Sequence, residues 1–110
     1  MCLNNWGGID HKVLEFHEYV NLFSGKSGSG KSTVMDAIQV ILYGSFSPSF
    51  LNKAADDAKN RRSVLSYLRG EQKDGSANRK DCDFCSVIDL EIEDTGTHII
   101  TCIGIAFEVR

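Results

Sequence analysis

Gly25-Lys26-Ser27-Gly28-Ser29-Gly30-Lys31-Ser32 fits the pattern G-x-x-x-x-G-K-[ST], the P-loop. Its flanks fit as well. Tyr19-Val20-Asn21-Leu22-Phe23 precedes it and reads as a short buried strand. Thr33 to Tyr43 follows, with Val34, Ala37, Ile38, Ile41 and Leu42 at helical spacing. Strand, glycine loop and helix is the context that the motif requires.

Each residue type has a physical reason. Successive backbone N–H groups in such a loop form a concave nest for phosphate oxygens. The first turn of the helix adds N–H groups without intrahelical partners and the positive end of its dipole. Gly28 and Gly30 let the backbone approach a ligand without an intervening Cβ. Lys31 is placed to reach the β- and γ-phosphates, and the Ser32 hydroxyl to ligate Mg²⁺. Thr33 is one position further, within reach of an α-phosphate. Gly25, Lys26, Ser27, Gly28, Ser29, Gly30, Lys31, Ser32 and Thr33 are therefore the candidate ATP-binding residues. Lys26 occupies a variable position and reads as solvated rather than catalytic.

The totals set bounds. A chain of 110 residues is one small domain or a piece of one. A net charge of −3 gives no global attraction to nucleic acid or to an anionic membrane. No run approaches the roughly 18 apolar residues of a membrane span. Met1 to Asn5 lacks the basic start and apolar core of a signal peptide. A cytoplasmic location is expected, with the four cysteines as reduced thiols.

Along the chain, Cys2 to Trp6 reads as a first strand broken by Gly7-Gly8. Ile9 to Lys12 leads into a second, Val13 to Phe16, antiparallel to the first because so few residues separate them. His11 and His17 have no partners at metal-ligand spacing and read as surface residues at strand ends. The P-loop helix should stop near Tyr43, with Gly44 as its C′ residue. Ser45 to Phe50 is a loop carrying the only proline, Pro48. Asn52 to Lys59 is polar, either loop or one helical turn. Asn60 to Arg69 reads as a helix, with Val64, Leu65 and Leu68 on one face and Gly70 past its end. Glu71 to Asp83 is a polar loop, expected to be mobile. Ile88, Leu90 and Ile92 alternate with Asp89, Glu91 and Glu93, a half-exposed antiparallel strand over Cys85 to Asp94. After a turn at Thr95-Gly96-Thr97, Ile99 to Val109 is a longer strand with Thr101, Ile103, Ile105, Phe107 and Val109 on one face.

Other chemistry is weakly signalled. Cys82-x-x-Cys85 is a single pair, and a zinc site wants four ligands. Lys59, Arg61, Arg62, Arg69, Lys73, Arg79 and Lys80 could meet phosphate, but Glu71, Asp74 and Asp81 dilute them into a mixed-charge face. Arg61 and Arg62 stand at the start of the expected helix, where the dipole disfavours cations. Val87-Ile88-Asp89-Leu90-Glu91 is the best candidate for an acidic Mg²⁺-holding strand, yet its acids alternate outward. No Walker B is assigned there, and no Leu-Ser-Gly-Gly-type signature is present.

Leu3-Asn4-Asn5-Trp6-Gly7-Gly8-Ile9, Phe23 to Thr33, and Asp36-Ala37-Ile38-Gln39 together resemble the N-terminal head segment of SMC-like ATPases, which include SMC, SbcC, RecN and MukB. Asn52-Lys53-Ala54-Ala55 and Arg62 to Gly70 look closer to the MukB-like branch with MksF and the Wadjet component JetC. The resemblance implies an α/β P-loop NTPase fold: the N-terminal lobe of an ABC/SMC-type head over residues 1–110, with an incomplete sheet and an antiparallel β-subdomain. It implies that Gly25 to Thr33 bind ATP and Mg²⁺, with Asn5 and Trp6 near the nucleotide. In such proteins a coiled coil separates this segment from a C-terminal lobe carrying the signature motif and Walker B. Two heads then sandwich ATP, act on DNA, and work with accessory subunits; in bacteria the assembly is nucleoid-associated. Arg61 and Arg62 would face nucleotide or DNA.

The chain ends straight out of a strand, so a truncated head lobe is the expectation. Two other readings stay open. One is a self-contained P-loop kinase or nucleotidase, which 110 residues scarcely accommodate because parallel strands need long crossovers. The other is a non-enzymatic remnant that retains its P-loop.

Overall fold

The computed structural model describes residues 1–26, 28, 30–44, 63–72, 74–94 and 98–109. Their elements are β1 (Cys2–Trp6), β2 (Ile9–Val13), α1 (Lys31–Tyr43), α2 (Val64–Arg69), β3 (Phe84–Asp94) and β4 (His98–Glu108). The strands form one antiparallel sheet in the order β2-β1-β3-β4.

The hairpin β1–β2 turns on Gly7-Gly8, with Trp6 opposite Ile9, as the glycine pair implies. The second strand starts earlier than expected: it covers Ile9–Val13, not Val13–Phe16. β1 also pairs with β3, Leu3 lying opposite Ile88. Strict alternation would send Leu3 and Trp6 to opposite faces, yet both are fully buried in the core. Asn5 resolves this. Its φ of 52° is left-handed, a region that Asn tolerates better than most residues, and it turns the strand so that both side chains reach the core. The twist is held from β3: Asn5 Nδ2 donates to Cys85 O at 2.8 Å, and Ser86 Oγ donates to Asn5 O at 2.6 Å.

One face of the sheet carries the core. Leu3, Trp6 and Ile88 pack there with Val34 and Ala37 of α1 and with Val64 and Tyr67 of α2. α1 ends at Gly44, whose left-handed backbone donates its N–H to Val40 O at 2.9 Å, as expected. α2 is shorter than the sequence suggests. Its N-cap is Ser63, with an extended backbone, so the helix starts at Val64. Ser63 and Ser66 satisfy each other's backbone N–H groups, a capping box in which serine replaces the usual glutamate. Asn60, Arg61 and Arg62 lie outside the described residues, as do 45–59.

Tyr19 to Phe23 is the largest departure. It is not a strand: Tyr19, Val20 and Leu22 are 87, 77 and 87 % exposed. A buried strand needs neighbours for its backbone N–H and C=O groups, and the described residues offer it none in the sheet. The segment closes on itself instead. Asn21 accepts from His17 N at 2.6 Å and donates to His17 O at 3.0 Å, a side-chain turn of the kind asparagine favours. Only Phe23 returns to the core, edge-on to Phe16 with centroids 6.1 Å apart.

The Glu71 to Asp83 loop also differs from a purely solvated stretch. Arg79 is buried and stitches the molecule together. Its Nε donates to Leu68 O at 2.8 Å, and its Nη2 to Gly7 O at 2.8 Å and Tyr67 O at 3.2 Å. Three carbonyls from the hairpin turn and the C-terminal end of α2 thus share one guanidinium, where helix carbonyls favour a cation. Burial pushes Arg79 below its ordinary pKa, opposed by Asp10, 3.6 Å from Nη1, and by Cys82. Arg69 is held charged from the other side of α2. Its hydrogen bonds to Glu108 on β4, at 2.7 and 3.1 Å, raise its pKa. Of the basic residues of this region, Arg69 and Arg79 are engaged internally and Lys80 is exposed; Lys59, Arg61, Arg62 and Lys73 lie outside the described residues.

Among the described strands β4 lies at the edge, and the face that the sequence groups together is the exposed one. Ile103, Ile105, Phe107 and Val109 are all more than half exposed.

Two substitutions probe these features. Arg79→Met should lower unfolding free energy by about 2–4 kcal/mol in urea, because it strips a charged donor from buried carbonyls. Ile105→Lys should change stability by less than about 0.5 kcal/mol. It should nevertheless reduce concentration-dependent self-association in sedimentation velocity, because a charge on an exposed edge strand blocks strand pairing.

Candidate phosphate-binding site

The loop reaches α1 through two left-handed glycines, Gly28 at φ 84° and Gly30 at φ 96°. A Cβ at either would meet nothing within 4 Å. Backbone conformation, not crowding within the protein, therefore asks for glycine here. Gly30 is also the N-cap of α1, and no side-chain oxygen caps it. The positive end of the α1 dipole thus opens onto the loop, the arrangement that suits an anion. Ser27 and Ser29 lie outside the described residues.

Lys31 opens α1 and folds back over the loop. Its Nζ donates to Gly25 O and, at 2.9 Å, to Lys26 O. The ammonium therefore spans the loop between its helical end and its first residues. An incoming phosphate would compete with these neutral carbonyls for the same protons, and a charge-assisted bond is the stronger partner. The residues present fit a polyphosphate on three counts: an ammonium across the loop, left-handed glycines, and a helix start without a side-chain cap.

Ser32 and Thr33 follow. Ser32 is half-buried at the loop. Thr33 is buried behind it, packed on the hairpin turn: a Cβ on Gly7 would come within 2.8 Å of Thr33 Cγ2. Its carbonyl accepts from Trp6 Nε1 at 2.9 Å. Trp6 thus touches the loop-bearing helix from β1. Asn5 is engaged with β3.

Sequence reasoning missed two residues here. Asp36 is fully buried one helical turn beyond Thr33 and accepts from the Tyr67 hydroxyl. Tyr67 stacks on Trp6, with centroids 4.7 Å apart and planes within 11°. An acid in the middle of an apolar helix face was the available signal for Asp36. Tyr67 carried none beyond its place on a short helix.

Asp89 and Glu91 are not near this chemistry. They alternate with the core residues Ile88 and Leu90, so they face away from α1. Among the described residues no three His, Cys, Asp or Glu side chains come together as a metal site. Cys82 and Cys85 are exposed free thiols. An apolar cavity of about 200 Å³ lies between α1, α2 and the β3–β4 pair, lined by Ile41, Gly44 and Leu68 among others. It reaches from Gly44 at the C-terminal end of α1 to Trp6 on β1, and its apolar lining does not suit a phosphate. No described helix is long and apolar enough to cross a membrane.

Comparison with known proteins agrees with this geometry. The family model for the P-loop containing region of AAA domain matches residues 1–58, just over half of the chain. The SbcC component of the nuclease SbcCD from Staphylococcus haemolyticus is 39 % identical over 72 residues, which are 62 % of this chain and 6 % of that protein. The DNA double-strand break repair Rad50 ATPase of Saccharolobus solfataricus is 29 % identical over 72 residues, 66 % of this chain and 8 % of that protein. The chain spans under a tenth of the length of these curated relatives. Both support the likeness to SMC-like ATPases, and neither speaks for its MukB-like branch. With its left-handed glycines, its lysine laid across the loop and residues 1–58 matching throughout, the chain belongs to the family of the P-loop containing region of AAA domains.

Proposed function

We propose that this chain is the ATP-binding N-terminal segment of an SMC-like, DNA-acting ATPase. The observation that carries the reading is the loop itself: Gly28 and Gly30 in left-handed conformation, feeding a helix whose first residue, Lys31, reaches back across the loop. Gly25 to Thr33 hold the phosphates. Lys31 neutralises the terminal ones, the Ser32 hydroxyl takes Mg²⁺, and Thr33 supplies a first-turn N–H from its buried position.

Hydrolysis is not the work of this segment alone. An acid that orients water belongs beside the terminal phosphate, and Asp89 and Glu91 lie on the far face of the sheet. The acid and the signature motif come from a C-terminal lobe and a second head, which complete the site by closing on the nucleotide. Among DNA processes, the names of the two relatives favour double-strand break repair and nuclease-associated work over chromosome segregation. A place in the MukB-like branch would rest on the Arg62 to Gly70 and Asn52 to Ala55 stretches alone. DNA and accessory subunits act through the whole assembly, in the cytoplasm.

Mg-ATP binding by the 110-residue chain, followed by equilibrium dialysis, tests the reading. Lys31→Ala should weaken binding by at least about tenfold, the weight of a charge-assisted contact. ATP turnover should be at background in both proteins. Lys31-dependent turnover by the chain alone would contradict the proposal and point to a complete small NTPase.

A further inference from the structure

The phosphate loop is backed by a polar junction to which nothing above gives a role. Thr33 is fixed from two sides, by the Trp6 indole N–H on its carbonyl and by the Gly7 turn against its methyl group. One turn further along α1, the buried Asp36 carboxylate accepts from Tyr67. The Tyr67 ring lies flat on the same Trp6. Tyr67 O in turn accepts from Gly7 N at 2.7 Å and from Arg79 Nη2 at 3.2 Å. One residue of α2 thus touches the indole, the hairpin turn and the loop-bearing helix together.

A phenyl ring would stack on Trp6 equally well. Besides satisfying a buried carboxyl group, the hydroxyl is tied to one partner in one direction. What such a pair supplies is direction: it fixes the rotation of α1 about its axis. That rotation decides where the first-turn N–H groups and the Ser32 hydroxyl point, and phosphate and metal sites tolerate only about 0.5 Å of misplacement.

We propose that Tyr67 is a positioning residue for the phosphate-binding turn, acting through its stack on Trp6 and its hydroxyl on Asp36. The proposal rests on the ATP-binding reading above. Trp6 is the only tryptophan of the chain, so its emission reports on this junction directly.

The test uses the full 110-residue chain as wild type, Tyr67→Phe, Val64→Ala and Lys31→Ala, well below every melting temperature and with folding checked by far-UV circular dichroism. Val64→Ala lightens the same helix in the core but keeps the hydroxyl. Tyr67→Phe is expected to raise the Mg-ATP dissociation constant about three- to tenfold, because a slightly misplaced first turn weakens each of its contacts to phosphate. The nucleotide-induced change in Trp6 emission should shrink with it. Val64→Ala should bind as wild type. Wild-type affinity in Tyr67→Phe would overturn the proposal while leaving the ATP reading intact. Equal weakening by Val64→Ala would also overturn it, since α2 would then be only a packing support. A folded wild type that binds no better than Lys31→Ala would overturn both.

Discussion

The indole of Trp6 is the contact on which the rest of this structure depends. It is fully buried, it donates to Thr33 at the start of α1, and it stacks on Tyr67 of α2. It adds direction to the aliphatic contacts of Leu3, Ile88, Val34 and Ala37, which set distance but little orientation. The hydrogen bond and the stack orient both helices against one strand. Aromatic residues with a polar edge suit this role because the ring fills volume while the N–H asks for one particular partner.

That orientation explains why an 11-residue strand pair and a short hairpin can carry a loop built for phosphate. The loop's backbone is demanding, with two left-handed glycines and a helix start that has no side-chain cap. Glycine takes such φ values at little steric cost, and what the loop needs from its surroundings is a fixed placement of α1. Here the surroundings are the hairpin turn, Tyr67 and the buried guanidinium of Arg79, all of which meet at Gly7. The opposite face of β4 shows the contrast. It is apolar and regular, yet exposed, because alternation sets which residues share a face and says nothing about what covers it.

Much of this was legible in the residues, and the reasons are local. The Gly7-Gly8 hairpin, the end of α1 at Gly44 and the alternating strands β3 and β4 follow from turn chemistry and period. The phosphate loop follows from a motif whose glycines have a conformational purpose. Long-range choices were not legible. Asn5 breaks alternation because of groups on β3, 80 residues away in sequence. Arg79 sits in a stretch that reads as solvated, and only the assembled fold gives it three carbonyls. Tyr19 to Phe23 has strand composition, but composition cannot supply neighbouring strands. The start of α2 could have been found, since Ser63-x-x-Ser66 is a capping pattern with an unusual second member.

The central claim is that Gly25 to Thr33 receive the phosphates of a nucleotide. Amide chemical shifts of the uniformly ¹⁵N-labelled chain, titrated with Mg-ATP, test it most directly. The largest changes are expected at Gly28, Gly30, Lys31 and Ser32, with smaller ones at the Trp6 indole N–H. Shifts confined to Gly44, Leu68 and Ile105 of the apolar cavity, or no shifts in a folded chain, would contradict it.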